Sequence, residues 1–333
     1  MSGGGKVTGR ARAREILALA RSRVPYADEY YDLLWYEADP IGGFRLGRNQ
    51  RLPHVSINSS GFRGPDFDGL EEILFLGDSV TFGVGASGDG ARLPVFLEHE
   101  IGESVADASV RGYRVFQHYA QIPRLLDTLS RVRLCILWCG YTDLLYWATT
   151  GGQLEGAFRF QLKYAEPART ALRRTTRQVF ELMTSTAGRL LSCEGQNHTE
   201  TGTLEGLVHH VSLHIRSIRD LCRARQVEFH VLVQPFLRAK PSDPDLRALS
   251  DFLSDSIERK CGLSWYVAAP KFTDSLLAET EGMGVPTSDL QTFMSEADYR
   301  DDVHLREEAQ RRLAGEISGL VQENLLPRDP QHL

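Results

Sequence analysis

Short apolar runs separated by longer helical patterns constrain this chain most. Five runs have strand character: EILFL (72–76), SVADA (104–108), VRLCILW (132–138), VEFHVLVQ (227–234) and LSWYVAA (263–269). Helical periodicity lies between and after them, at about 92–103, 115–130, 205–225, 243–261 and 306–323. Strands that alternate with helices must run parallel, because each crossover returns the chain to the same edge of the sheet. A parallel sheet covered on both faces follows, and such sheets bind ligands outside the carboxyl ends of their strands. With 333 residues, the chain can build one large domain of this kind.

Two regions stand outside the alternation. Residues 1–70 include DPIGGFRLGRNQRLPHVSINSSGFRGPDFDG, rich in Gly, Asn and Pro, and read as an extended lead-in that packs on a domain spanning 71–325. Residues 146–204 interrupt the third and fourth strands. This insertion is too long for a plain crossover, has helical character at Tyr164–Leu191, and is expected to act as a lid.

The net charge is −6, with no basic stripe, which argues against nucleic acid and anionic membranes as partners. No apolar run approaches the roughly 18 residues of a membrane span, so no membrane insertion is expected. ILALA near the start is too short for a signal-peptide core. The five cysteines (Cys135, Cys139, Cys193, Cys222, Cys261) are odd in number and widely spaced, which suits reduced thiols in a cytoplasmic protein. The sequons at Asn58 and Asn197 carry no weight without a secretion route.

The stretch ILFLGDSVTFGVGASG (73–88) admits two chemistries. Gly83, Gly85 and Gly88 spell G-x-G-x-x-G, and Asp107 lies where a ribose-binding acid would sit. A dinucleotide loop, however, needs its first glycine at the strand end, so that the pyrophosphate meets a helix N-terminus. Gly83 follows Leu76 by seven residues, so positive φ or close packing is the stronger reading of these glycines.

The other chemistry centres on Ser79. A hydroxyl becomes a nucleophile when a base takes its proton and an orienter holds that base. YRDDVHLREEAQ (299–310) supplies both: Asp301 precedes His304 by three residues, just before a helical pattern. That spacing folds the carboxylate onto Nδ1 and turns Nε2 toward Ser79. Asp302 is the alternative orienter, but its side chain is expected to point elsewhere. Donors for a developing oxyanion are the N–H of Ser79, Gly112 after the second strand, and the loop Gly140–Asp143 after the third. The order Ser, Asp, His also occurs in α/β hydrolases, but no G-x-S-x-G elbow is present.

These blocks resemble the SGNH hydrolases, also called GDSL esterases. Gly77, Asp78 and Ser79 match the first block, Gly112 the second, and Asp301 with His304 the last. INSSGFRGPDF (57–67) and VLVQPF (231–236) are also similar to segments of bacterial members, so the resemblance spans about Asp39 to Leu320. It implies a three-layer α/β/α, flavodoxin-like fold with a five-stranded parallel sheet. It also implies cleavage of an ester or thioester through an acyl-serine, with no metal or cofactor. The third block departs from the family: Gly-x-Asn-Asp reads Gly140, Tyr141, Thr142, Asp143. Thr142 then stands in the oxyanion hole with Ser79 and Gly112, as a shorter, rotatable donor. An acyltransferase using the same acyl-enzyme, and a binding protein that has lost turnover, are the alternatives.

Other residues have plainer roles. Asp78 braces the turn after the first strand, and Asp143 structures its loop. Tyr141, Tyr146 and Trp147 line an acyl pocket or belong to the core. His210 and His214 have i, i+4 spacing but lack the Glu of a zinc helix, so with His209 they read as a helix face. ARTALRRTTR (168–177) reads as a solvated helix face.

Overall fold

The computed structural model describes residues 9–154 and 202–324. Helix α1 (Gly9–Arg23) and a π-helical turn (Glu29–Leu33) lead into an antiparallel hairpin, β1 (Tyr36–Asp39) and β2 (Gly43–Leu46). The main sheet and its crossovers follow: β3 (Ile73–Leu76), α2 (Leu93–Ile101), β4 (Val105–Asp107), α3 (Val115–Thr128), β5 (Leu134–Cys139) and α4 (Tyr141–Thr150). After the undescribed residues come α5 (Leu204–Ala224), β6 (Glu228–Val233), α6 (Pro244–Cys261), α7 (Trp265–Gly282), β7 (Thr287–Asp289) and α8 (Glu307–Asn324).

The sheet has the order β4-β3-β5-β6-β7, every pair parallel. That is the flavodoxin order with its topological switch between β3 and β5, and it is the sheet the SGNH resemblance implies. Helices α2 and α8 pack together on one face, and α3, α5 and α7 lie in a row on the other. Burial on both faces explains why β3 and β5 are apolar at every position.

Two expectations need correction. LSWYVAA is not a strand; it opens α7. A short apolar run cannot be assigned by periodicity alone. Here Trp265, Ala268, Ala269, Phe272 and Leu276 form one buried stripe at helical spacing. The fifth strand is Thr287–Asp289, too short and too polar to announce itself. Nor are residues 1–70 extended throughout, since they contain α1 and the hairpin. Their side chains Val24, Tyr30, Leu34, Phe44 and Ile57 belong to the same core as the sheet.

The insertion read as a lid, with its helical stretch Tyr164–Leu191 and the arginines of 168–177, falls almost wholly outside the described residues. Its base is tied: Gly202 N donates to Gly152 O at 2.9 Å, and Trp147 Nε1 donates to Gly202 O at 2.8 Å.

Candidate active site

The site forms where β3 ends. Gly77 permits the turn there, because a Cβ would sit 2.0 Å from Thr81 Oγ1 and 2.9 Å from Ser109 Oγ. The next turn is held internally: Asp78 Oδ1 accepts from Val80 N at 3.0 Å, and Asp78 O accepts from Phe82 N at 2.9 Å. Ser79 thus leaves the sheet edge half-buried on a fixed backbone.

Asp301, Val303 and His304 form a second local turn. Asp301 Oδ1 accepts from Val303 N at 3.0 Å and His304 N at 2.7 Å, which leaves Oδ2 to meet His304 Nδ1 at 2.6 Å. His304 Nε2 lies 3.0 Å from Ser79 Oγ across 225 residues of sequence. Ser79, His304 and Asp301 are therefore within hydrogen-bond reach in the order a nucleophile, base and orienter require.

The electrostatics suit that order. Burial alone would lower the His304 pKa, but the Asp301 carboxylate, helped by Asp302 and Asp78, holds it above the ordinary imidazole value. Burial pushes the Asp301 pKa upward, yet His304 and the two backbone N–H donors outweigh it and hold it below the usual carboxylate range. Asp302 shares the neighbourhood but not the role. Its Oδ2 accepts from Tyr141 OH, and burial together with the Asp301 charge lifts its pKa to about 6.

The oxyanion donors divide. The loop after β4 is fastened by Val110 N donating to Gly77 O at 2.9 Å, and Gly112 turns there with φ 80°. The N–H groups of Ser79 and Gly112 bond to no other backbone group among the described residues. Thr142 departs from expectation. Its single hydroxyl proton goes to Asp78 Oδ2 at 2.6 Å, so in this arrangement it braces a carboxylate and gives no donor to an oxyanion. The Asp78 pKa is raised by burial, against the pull of Thr142, Val80 and His304.

Neighbouring residues explain the rest of the motif. Asp143 Oδ1 accepts from Arg114 Nε at 3.1 Å and Oδ2 from Val115 N at 3.2 Å, which pins the start of α3. Tyr141 faces Asp302, but Tyr146 lies under the Arg114 guanidinium at 4.1 Å and Trp147 binds the insertion's base, so neither lines a pocket at Ser79. Gly83 and Gly85 both take a positive φ of 81°, and Gly83 also serves packing. A Cβ on Gly83 would sit 2.5 Å from Arg92 Cγ, α2 does not begin until Leu93, and Asp107 is buried against Arg92.

His210 and His214 stack edge to face at 4.7 Å, and among the described residues no three His, Cys, Asp or Glu side chains are placed to hold a metal ion. No helix among those residues is long and apolar enough to cross a membrane.

Sequence reading missed several residues. Arg63, fully buried, donates at 2.8 Å to both Phe82 O and Gly83 O and so braces the loop after Ser79. Its presence in GFRG was a signal, but its partners lie 19 and 20 residues away. Gln234 is buried beside Asp78, and Tyr30 and Arg111 join two loops of the site. Gln234 lies within VLVQPF, but no local pattern marks Tyr30 or Arg111.

No protein-family model matches this sequence, and no curated protein matches it. Solved structures do align with it. A GDSL-like lipase from Bacteroides thetaiotaomicron is 11% identical, with 77% of this chain and 92% of that one covered and a TM-score of 0.41. The native aryl esterase of M. smegmatis is 17% identical, covers 77% and 100%, and has a TM-score of 0.42. A carbohydrate acetylesterase from Sinorhizobium meliloti is 15% identical, covers 75% and 98%, and has a TM-score of 0.41. These similarities concern the fold, and the chemistry of the site rests on its own geometry.

Proposed function

We propose that this protein is a serine hydrolase that cleaves an ester or thioester through an acyl-serine. The observation that carries the reading is the connected set Ser79 Oγ, His304 Nε2, His304 Nδ1 and Asp301 Oδ2, at 3.0 and 2.6 Å, on the carboxyl edge of the sheet. Ser79 Oγ attacks the acyl carbonyl carbon while His304 Nε2 takes its proton. The N–H groups of Ser79 and Gly112 stabilise the oxyanion. The bond to the leaving alcohol or thiol then breaks, and that group takes the proton from His304. Water attacks the acyl-serine, gives its proton to His304, and Ser79 recovers it as the acid departs. Asp301 holds the tautomer and stabilises the imidazolium throughout.

The test is labelling by a fluorophosphonate probe, read by intact mass, in wild type, Ser79→Ala and His304→Ala. One adduct on wild type and none on either variant is expected. A folded wild type that stays unlabelled, beside a reacting control hydrolase, removes the reading. A binding protein without turnover is the second reading. It is favoured by one observation: Thr142 is committed to Asp78, which leaves the oxyanion two backbone donors.

A further inference from the structure

The segment Arg21–Tyr31 crosses the edge of the sheet that carries Ser79, and it is fastened to three loops of the site. Toward His304, Arg23 Nε donates to Arg300 O, and Arg300 N donates to His304 O at 2.7 Å. Toward Ser79, Tyr30 OH donates to Ala86 O at 2.8 Å. Gly85, with φ 81°, lets the segment approach: a Cβ there would lie 3.3 Å from Pro25 Cδ and 3.4 Å from both Val24 Cγ1 and Arg300 Nε. Toward Gly112, the adjacent Arg111 donates through Nη1 to Tyr30 O. One strap therefore joins the nucleophile loop, the oxyanion loop and the histidine loop.

Tyr31 lies at the end of this strap, next to Tyr30. The Arg111 guanidinium lies 4.7 Å from its ring centroid and that of Arg21 5.8 Å, so two cations hold the ring. Arg111 adjoins Gly112, so its contact sets the ring beside the oxyanion loop. Little of the histidine remains open: its side chain is 12% exposed. A ring held between two guanidinium groups, in a strap fastened to three loops, is a fixed wall rather than a flexible flap.

We propose that the strap is the wall of the substrate site and that Tyr31 is a specificity-determining residue, restricting the acyl group on Ser79 to short chains such as acetyl. The inference rests on the acyl-serine reading above. It also accounts for Gly85 and Arg111, which the triad alone leaves without a role.

The experiment measures kcat/KM on p-nitrophenyl acetate and p-nitrophenyl octanoate for wild type, Tyr31→Ala and Tyr31→Phe, with fluorophosphonate labelling of Ser79 in each protein. Wild type is expected to prefer acetate by at least tenfold. Tyr31→Ala should narrow that preference at least tenfold, mainly through a lower KM for octanoate, while labelling is retained. Tyr31→Phe keeps the ring and should keep the wild-type preference, which a merely destabilised strap would not. A wild type that turns over octanoate as well as acetate overturns the inference. So does an unchanged ratio in a labelled Tyr31→Ala. If wild type neither labels nor hydrolyses either ester, the acyl-serine reading fails and this inference with it.

Discussion

Two turns at the same sheet edge hold their carboxylates in opposite ways. In the turn 301–304, the Asp301 carboxylate is satisfied within three residues, by Val303 N, His304 N and His304 Nδ1. In the turn 140–143, each side chain reaches far along the chain. Tyr141 bonds to Asp302, Thr142 to Asp78, and Asp143 to Arg114. The first turn carries its geometry in its own spacing. The second is correct only once three other elements have docked. It also explains how Thr142 fits here: it has a buried carboxylate to bind, which a hydroxyl can do.

The largest expected effect breaks the local turn. Asp301→Asn leaves the fold but favours the wrong imidazole tautomer, so kcat on p-nitrophenyl acetate should fall by about 10⁴, the magnitude known for such a change in a serine-protease triad. A loss below tenfold would remove Asp301 from the orienting role. The counterpart in the other turn acts on stability. Arg114 and Asp143 are both buried, with side chains 0% and 3% exposed. Asp143→Ala removes the carboxylate that balances this buried guanidinium and should cost about 3–5 kcal/mol by urea unfolding. Asp301→Asn should cost less than that in the same assay.

Thr142→Val sharpens the contrast further. If Thr142 only braces Asp78, kcat should change less than tenfold, with about 1–3 kcal/mol lost through the unpaired carboxyl oxygen. A fall of about 10²–10³ in kcat would instead restore Thr142 to the oxyanion hole. The smallest effect is in the pH profile. His304 must be neutral to accept a proton, and its pKa is held above the ordinary 6.5. Activity should therefore rise with pH along a limb whose midpoint lies above 6.5. Asp302→Asn removes one of the charges that raise this pKa, so the limb should move to lower pH. A limb that stays put or moves upward would show that Asp302 does not act on His304.

Most of the sheet was legible because a strand buried on both faces must be apolar at nearly every position, as Ile73–Leu76 and Leu134–Cys139 are. The apolar run at 263–269 misled for the same reason, since a buried helix presents a similar run, while Thr287–Asp289 pairs through its backbone without an apolar signature. The catalytic candidates Ser79, Asp301 and His304 were legible where local chemistry encodes them: a serine after an apolar strand, and an acid three residues before a histidine.

By itself, then, the sequence determined the alternating parallel architecture and the identity of the three candidate catalytic side chains, because both follow from periodicity and short-range spacing. Only the tertiary structure decided that Thr142 serves Asp78, that Arg63 braces the loop after Ser79, and that the N-terminal strap brings Tyr31 to Arg111, beside Gly112. Those contacts join residues tens to hundreds of positions apart. Their partners are selected by how the layers dock, and no period or motif along the chain records that choice.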